Sequence, residues 1–156
     1  MTRLEVLIAE APVFAGLKAS SLALLADCAG NEHVRGGEFL FHRGEQADRC
    51  LLIGHGLVAL ETHGSESRSL EIDTLGDGEV VGWSWLFHPF RWHFDARATQ
   101  PTDLISFDGA CLRRKCDADH TLGYQLMERF ASAILDRLQD TREQLLDVYG
   151  NPSATD

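Results

Sequence analysis

Between His33 and Asp108 the chain reads as short segments punctuated mainly by glycine. The breaks fall at Gly36-Gly37, Gly44-Glu45, Gly54-His55-Gly56, Gly64-Ser65, Gly76-Asp77-Gly78 and Gln100-Pro101. Paired glycines supply the positive φ of tight turns without a Cβ clash. The segments between them read as strands near 33–35, 38–42, 50–54, 57–63, 68–75, 79–81, 93–99 and 102–107. Eight short strands with turn signals at this spacing predict an all-β barrel or jelly roll.

Within that region, Gly78 to Ala98 holds all three tryptophans (Trp83, Trp85, Trp92) together with Phe87, Phe90 and Phe94. Gly82 and Pro89 interrupt the run, so it is not one regular helix. Its end alternates with period two, placing Trp92, Phe94, Ala96 and Ala98 on one face and Arg91, His93, Asp95 and Arg97 on the other. That is the pattern of a strand with one buried face. Large rings beside alanines can shape a concavity, or can simply be core.

Helical texture lies on both sides. Residues 4–8 and 20–29 read as helices, the second capped by Ser20 or Ser21. After Asp108, which can cap a short helix through about Cys116, a long helix capped by Asp117 or Asp119 runs to about Tyr149. It carries two apolar stripes. Leu122, Leu126, Phe130 and Ala133 suit packing on the β domain. Met127, Ala131, Ile134, Leu138, Thr141, Leu145 and Val148 repeat as heptad a and d positions. Two apolar faces want two partners, so residues 127–148 predict a homodimer formed by a parallel helix pair. The other reading is a monomer with the N-terminal helices on the second stripe.

At 156 residues the chain can bury a core without staples. A formal charge of −10 argues against a free-standing nucleic-acid binder, which needs a basic face to displace phosphate counterions. No apolar window reaches membrane-spanning length and the N-terminus lacks signal-peptide character, so a cytoplasmic protein is expected. The four cysteines, Cys28, Cys50, Cys111 and Cys116, have no zinc spacing and read as reduced, partly buried thiols. No H-x-H pair, nucleophile elbow or phosphate-loop lysine appears, so neither a metal site nor catalysis is expected.

Several segments, in order, resemble motifs of the cyclic nucleotide-binding domain of the CRP/FNR (catabolite activator-like) superfamily. They are Phe14-x-x-Leu17, Phe41-x-x-Gly44-Glu45-x-Ala47-Asp48, Leu51-Leu52-Ile53-x-x-Gly56-x-Val58, Gly78-Glu79-x-x-Gly82, and Arg137-Leu138-Gln139-Asp140-Thr141. The resemblance implies a mainly-β fold with flanking helices: an eight-stranded β-roll followed by a long C-terminal dimerisation helix. N-terminal helices would span 1–32, the roll 33–108, the C-terminal helices 109–150 and a tail 151–156. It also implies a non-catalytic regulatory domain that binds a small effector in the β-roll, with cyclic AMP or cyclic GMP as candidates, and signals through a dimer helix, with Gly82, Trp83, Ser84, Trp85, Arg91 and Thr141 as ligand-binding residues. In the family, backbone N–H groups at the start of a short helix cradle the cyclic phosphate.

Two positions depart from the family pattern. Trp83 stands where a glutamate normally accepts the ribose 2′-hydroxyl, and indole has no acceptor for that bond. Arg91 is one residue out of the inward parity that a phosphate partner needs, and a bulge would be required to turn it inward. Losing two charged hydrogen bonds, each worth roughly 1.5–3 kcal/mol, would weaken nucleotide binding by about two to four decades. The alternative is therefore a degenerate fold acting as a protein–protein interaction module. The chain stops where the family's DNA-binding domain would begin, so direct DNA reading is not expected.

Overall fold

The computed structural model describes residues 1–63 and 69–149, the side chains of 63, 69, 148 and 149 aside. The chain opens with α1 (Arg3–Glu10), a 3-10 turn (Pro12–Phe14) and α2 (Ala19–Ala26). Seven strands follow among the described residues: β1 (Ala29–Val34), β2 (Phe39–Phe41), β3 (Arg49–His55), β4 (Val58–His63), β5 (Ser69–Leu75), β6 (Asp95–Ala98) and β7 (Thr102–Asp108). Two helices close the chain, α3 (Gly109–Ala118) and α4 (His120–Tyr149). The expected Gly64-Ser65 turn and the tail 151–156 lie outside the described residues.

The strands form two antiparallel sheets, ordered β1-β7-β3 and β2-β6-β4-β5, in a jelly-roll-like arrangement. Their inward faces supply the core, with Leu51, Ile53, Val58, Ala96, Ala98, Leu104 and Phe107 buried. The helices complete it through Ile8, Phe14, Leu25, Leu112, Leu122, Leu126 and Phe130. Phe14, Phe107 and Phe130 meet as a ring cluster, with centroids 5.5 and 6.1 Å apart, which fastens the N-terminal segment and α4 to one end of the roll.

The expected eighth strand does not form. Residues 78–81 run beside β3, with Ile53 N donating to Glu79 O (2.9 Å) and Val81 N to Leu51 O (2.8 Å). They make only an isolated bridge, Leu52 to Val80, because Gly78 and Gly82 at φ +81° and +82° bend the backbone at both ends. β6 is also shorter than expected. Upstream of it, residues 90–92 hydrogen-bond to the 44–47 loop instead of a strand (Ala47 N to Phe90 O 2.7 Å, Trp92 N to Glu45 O 3.0 Å). Asp95, expected on the outer face, is buried and its Oδ1 accepts from Arg43 N at 2.7 Å.

Three helix caps follow side-chain chemistry: Thr2 accepts from Glu5 N (3.2 Å), Asp108 from Cys111 N (2.9 Å) and Asp119 from Leu122 N (3.1 Å). Neither Ser20 nor Ser21 caps α2. That helix begins after Lys18 without a side-chain cap, and Ser21 is buried inside it.

The cysteine expectation is corrected for one pair. Asp108 N donates to Cys28 O at 2.8 Å, which sets the start of β1 against the start of α3. Cys28 and Cys111, with Cα atoms 5.6 Å apart, form a disulfide across 83 residues. Cys50 and Cys116 are free thiols, and burial pushes both pKa values up, with Asp117 and Asp119 adding to the rise at Cys116.

On α4, Leu122, Leu126 and Phe130 are buried against the roll, and Ala133 packs against that core. Among the described residues most of the second stripe is uncovered: Met127, Leu138 and Leu145 are 40%, 46% and 52% exposed, and Ile134 is partly buried. The N-terminal helices therefore do not occupy it. The Val148 side chain lies outside the described residues.

Candidate functional site

A cleft of about 1250 Å³ opens between the β-roll and α4. Its floor is the chain from Gly78 to Ser84, and β5 contributes Asp73 and Leu75. Phe87, His88 and Pro89 form one rim, and His93 and Phe94 lead away toward β6. Glu128, Arg129, Ser132, Ala133, Asp136, Arg137 and Asp140 of α4 form the opposite wall, and Pro12 and Val13 close one end.

Gly82 is required where it stands. Its φ is +82°, and a Cβ there would lie 3.0 Å from Trp92 Cζ3 and 3.2 Å from Phe94 Cζ. The bare backbone lets the chain turn over those rings and present Trp83 and Ser84 to the cleft. Trp83 lies half-buried on Phe130 of α4, with centroids 5.2 Å apart. Ser84 Oγ lies 3.2 Å from His93 Nδ1.

Of the six residues expected at the site, Gly82, Trp83 and Ser84 line the cleft; Trp85, Arg91 and Thr141 do not. Trp85 is 1% exposed, edge-on to Phe130 at 5.6 Å, with its carbonyl accepting from Arg113 Nη1 at 2.6 Å. It is a core residue: behind the turn closed by Leu86 N on Trp83 O (3.0 Å), its ring lies deeper than that of Trp83, 6.2 Å away, and both pack on Phe130. No bulge turns Arg91 inward. Its backbone bridges to Gln46 and its exposed guanidinium donates to Gly44 O at 3.3 Å. Phe90, at φ +57°, is held instead beneath the Arg113 guanidinium, 4.4 Å from its ring centroid. Thr141 donates to Arg137 O within its own helix at 3.0 Å and is exposed. The segment from Gly82 to Phe90 contains turns and no helix, so the helix N-terminus expected to cradle a phosphate is not built.

The electrostatic centre of the cleft is a residue quoted above only as part of a motif. Arg137 crosses from α4 to the roll, pairing with both carboxylate oxygens of Asp73 (Nε to Oδ2, 2.8 Å) and with Glu79 Oε1 at 3.1 Å. It also donates to Thr74 O at 3.2 Å and has Asp140 at 3.7 Å. Burial opposes its charge, but the bond to Asp73 and the charges of Asp73, Glu79 and Asp140 outweigh that and raise its pKa. Glu79 is held by Gly76 N, which donates to Oε2 at 2.7 Å. Asp77, which also lines the cleft, accepts from Gly56 N (2.9 Å) and lies 3.2 Å from His55 Nδ1, and these bonds lower its pKa. No sequence pattern pairs Arg137 with Asp73, 64 residues away; only the motif at 137–141 marked that turn of helix.

The sequence profile of the cyclic nucleotide-binding domain family matches residues 31–119. The chain belongs to that family. Over 107 residues, 69% of this chain, it is 30% identical to a Rhodopseudomonas palustris protein named as a potassium channel. The match spans 26% of that relative. Among solved structures, a cyclic nucleotide-binding protein from Geobacter metallireducens is 29% identical and superposes with a TM-score of 0.75, over 88% of this chain and 99% of that one. The Thermus thermophilus catabolite activator protein shares the fold at 20% identity and a TM-score of 0.70, over 86% of this chain and 61% of that one. The cleft thus belongs to a cyclic nucleotide-binding fold in which Trp83 lines the side facing α4 and the Arg91 guanidinium is turned outward. No helix among the described residues is long and apolar enough to cross a membrane.

Proposed function

We propose that this chain is a non-catalytic regulatory domain. It takes a small effector, in the first instance cyclic AMP or cyclic GMP, into the cleft and passes occupancy to α4 of a homodimer. The observation that carries this reading is the open cleft of about 1250 Å³ between Gly82-Trp83-Ser84 and α4. Small-molecule pockets are typically about 300–1000 Å³, so the space is ample. An interaction module that had lost its ligand would be expected to fill this space with its own rings. Here Trp85 goes to the core and Trp83 forms only a wall.

The route from effector to output is short. Trp83 touches Phe130 of α4, so a ligand stacked on Trp83 bears on the helix within one side chain. Across the cleft, Arg137 ties the same helix to Asp73 and Glu79. An effector shifts α4 only as far as it binds one helix position better than the other, and both contacts differ between a closed and an open cleft. The exposed stripe of Met127, Leu138 and Leu145 is where a second α4 would pack, within residues 127–148, with Thr141 as the polar residue of the seam.

Calorimetric titration of cyclic AMP and cyclic GMP into unfolded-and-refolded protein tests the reading. Binding at micromolar affinity or tighter, lost in Trp83→Ala, is the expected result. No heat and no thermal shift at millimolar nucleotide would reject a cyclic nucleotide as the effector.

A further inference from the structure

Arg129 is the unexplained charge of the cleft. It lines the α4 wall and makes no hydrogen bond or ion pair with any described residue, and its Nε is buried without a partner. Orphaned buried donors of this kind are rare and call for an acceptor. The other cleft arginine is already neutralised by Asp73 and Glu79. The guanidinium of Arg129 has a defined seat: a Cβ at Gly16 would lie 3.7 Å from Nη2, so the group rests against the turn that follows Pro12 and Val13. The arginine that the family pattern would bring to a phosphate, Arg91, is outside the cleft.

We infer that Arg129 is the anion-recognising residue of this cleft, receiving the phosphate of the effector from α4 rather than from the strand side. The inference rests on the reading of the cleft as an effector site and deepens it. Guanidinium forks match phosphate oxygens in two parallel bonds, and such a bond would give the buried Nε its acceptor. The carboxylates of Asp73, Glu79 and Asp140 are engaged by Arg137, eight residues and about 12 Å further along the helix. Glu128 and Asp136 also line the wall. They accept hydrogen bonds, so they disfavour a bare anion and favour one flanked by hydroxyl or amine donors. A ribose phosphate has that chemistry.

The test uses inorganic phosphate as the anion probe and tryptophan emission as the readout, since Trp83 lines the same cleft. Phosphate is titrated against sodium chloride at matched ionic strength into the parent, Arg129→Gln and Arg129→Lys, each checked by circular dichroism. A saturable response in the parent, weaker by about tenfold or more in Arg129→Gln and partly kept in Arg129→Lys, is expected. Cyclic AMP and adenosine are titrated in parallel, and Arg129→Gln should erase the preference for the charged ligand. A phosphate response equal in parent and Arg129→Gln, or absent from both, overturns the inference even if cyclic AMP binds. A phosphate response that depends on Arg129 without cyclic nucleotide binding sustains the anion site and rejects the cyclic nucleotide reading instead.

Discussion

Replacing Arg137 by glutamine cuts the tie between α4 and β5. In the parent, Arg137 is 27% exposed and Asp73 15%, so the pair is partly shielded from water. Glu79 and Asp140, at 41% and 58%, are more solvated. The bonds to Asp73 dominate: removing a charged partner from a half-desolvated carboxylate costs roughly 1.5–3 kcal/mol. The more exposed pairs add about 0–1 kcal/mol. The expected loss is about 2–3 kcal/mol. At a urea m-value of roughly 1–3 kcal/mol/M this lowers the midpoint by about 0.7–3 M. Urea is the right denaturant because guanidinium would itself screen the pair. Protein concentration must be held constant, since a dimer's stability depends on it. A double-mutant cycle with Asp73→Asn should return a coupling of about 1.5 kcal/mol, well above the roughly 0.3–0.5 kcal/mol scatter of independent sites. Hydrogen exchange should rise in the distal half of α4 and in β5, and not in β7. A coupling within that scatter would mean that solvent screens the pair, and the argument from its geometry would fail.

Gly82→Ala should cost about 2 kcal/mol or more in chemical denaturation, from positive φ and from a Cβ only 3.0 Å from Trp92; parent-like stability would refute it. Leu138→Glu should convert a dimer to monomers in sedimentation while leaving the circular dichroism spectrum unchanged, because Leu138 is 46% exposed in the single chain. A parent that sediments as a monomer would remove the dimer from the mechanism. Asp77 has a lowered pKa through Gly56 N and His55, so its contribution to stability is present above the ordinary carboxylate range and is lost as pH falls through its folded value. The difference in melting temperature between parent and Asp77→Asn should be present at neutral pH and shrink as pH falls through and below the ordinary carboxylate range.

The sequence alone was enough for a mainly-β roll with flanking helices and a long last helix, though not for its strand count, and for the segment that faces α4. Glycine spacing marked the strands, the alternation of Trp92, Phe94, Ala96 and Ala98 marked an inward face, and two stripes marked α4. These signals are local, because periodicity and turn chemistry act over a few residues. Where a local signal misled, a longer-range contact won. The strand at 79–81 stopped at one bridge between two positive-φ glycines, and Arg91 went to the 44–47 loop. Cys28 and Cys111 met only because β1 and α3 start side by side.

The composition of the site was decided by tertiary structure alone. Arg137 reaches Asp73 across 64 residues of sequence, Arg129 is seated by Gly16, and of two neighbouring rings on Phe130, Trp83 lines the cleft while Trp85 is buried. A charge pair or an orphaned donor depends on the distance between folded elements, and no pattern along the chain encodes that distance. The sequence determined which elements would form and which faces would be buried; packing α4 against the roll decided which side chains share the cleft.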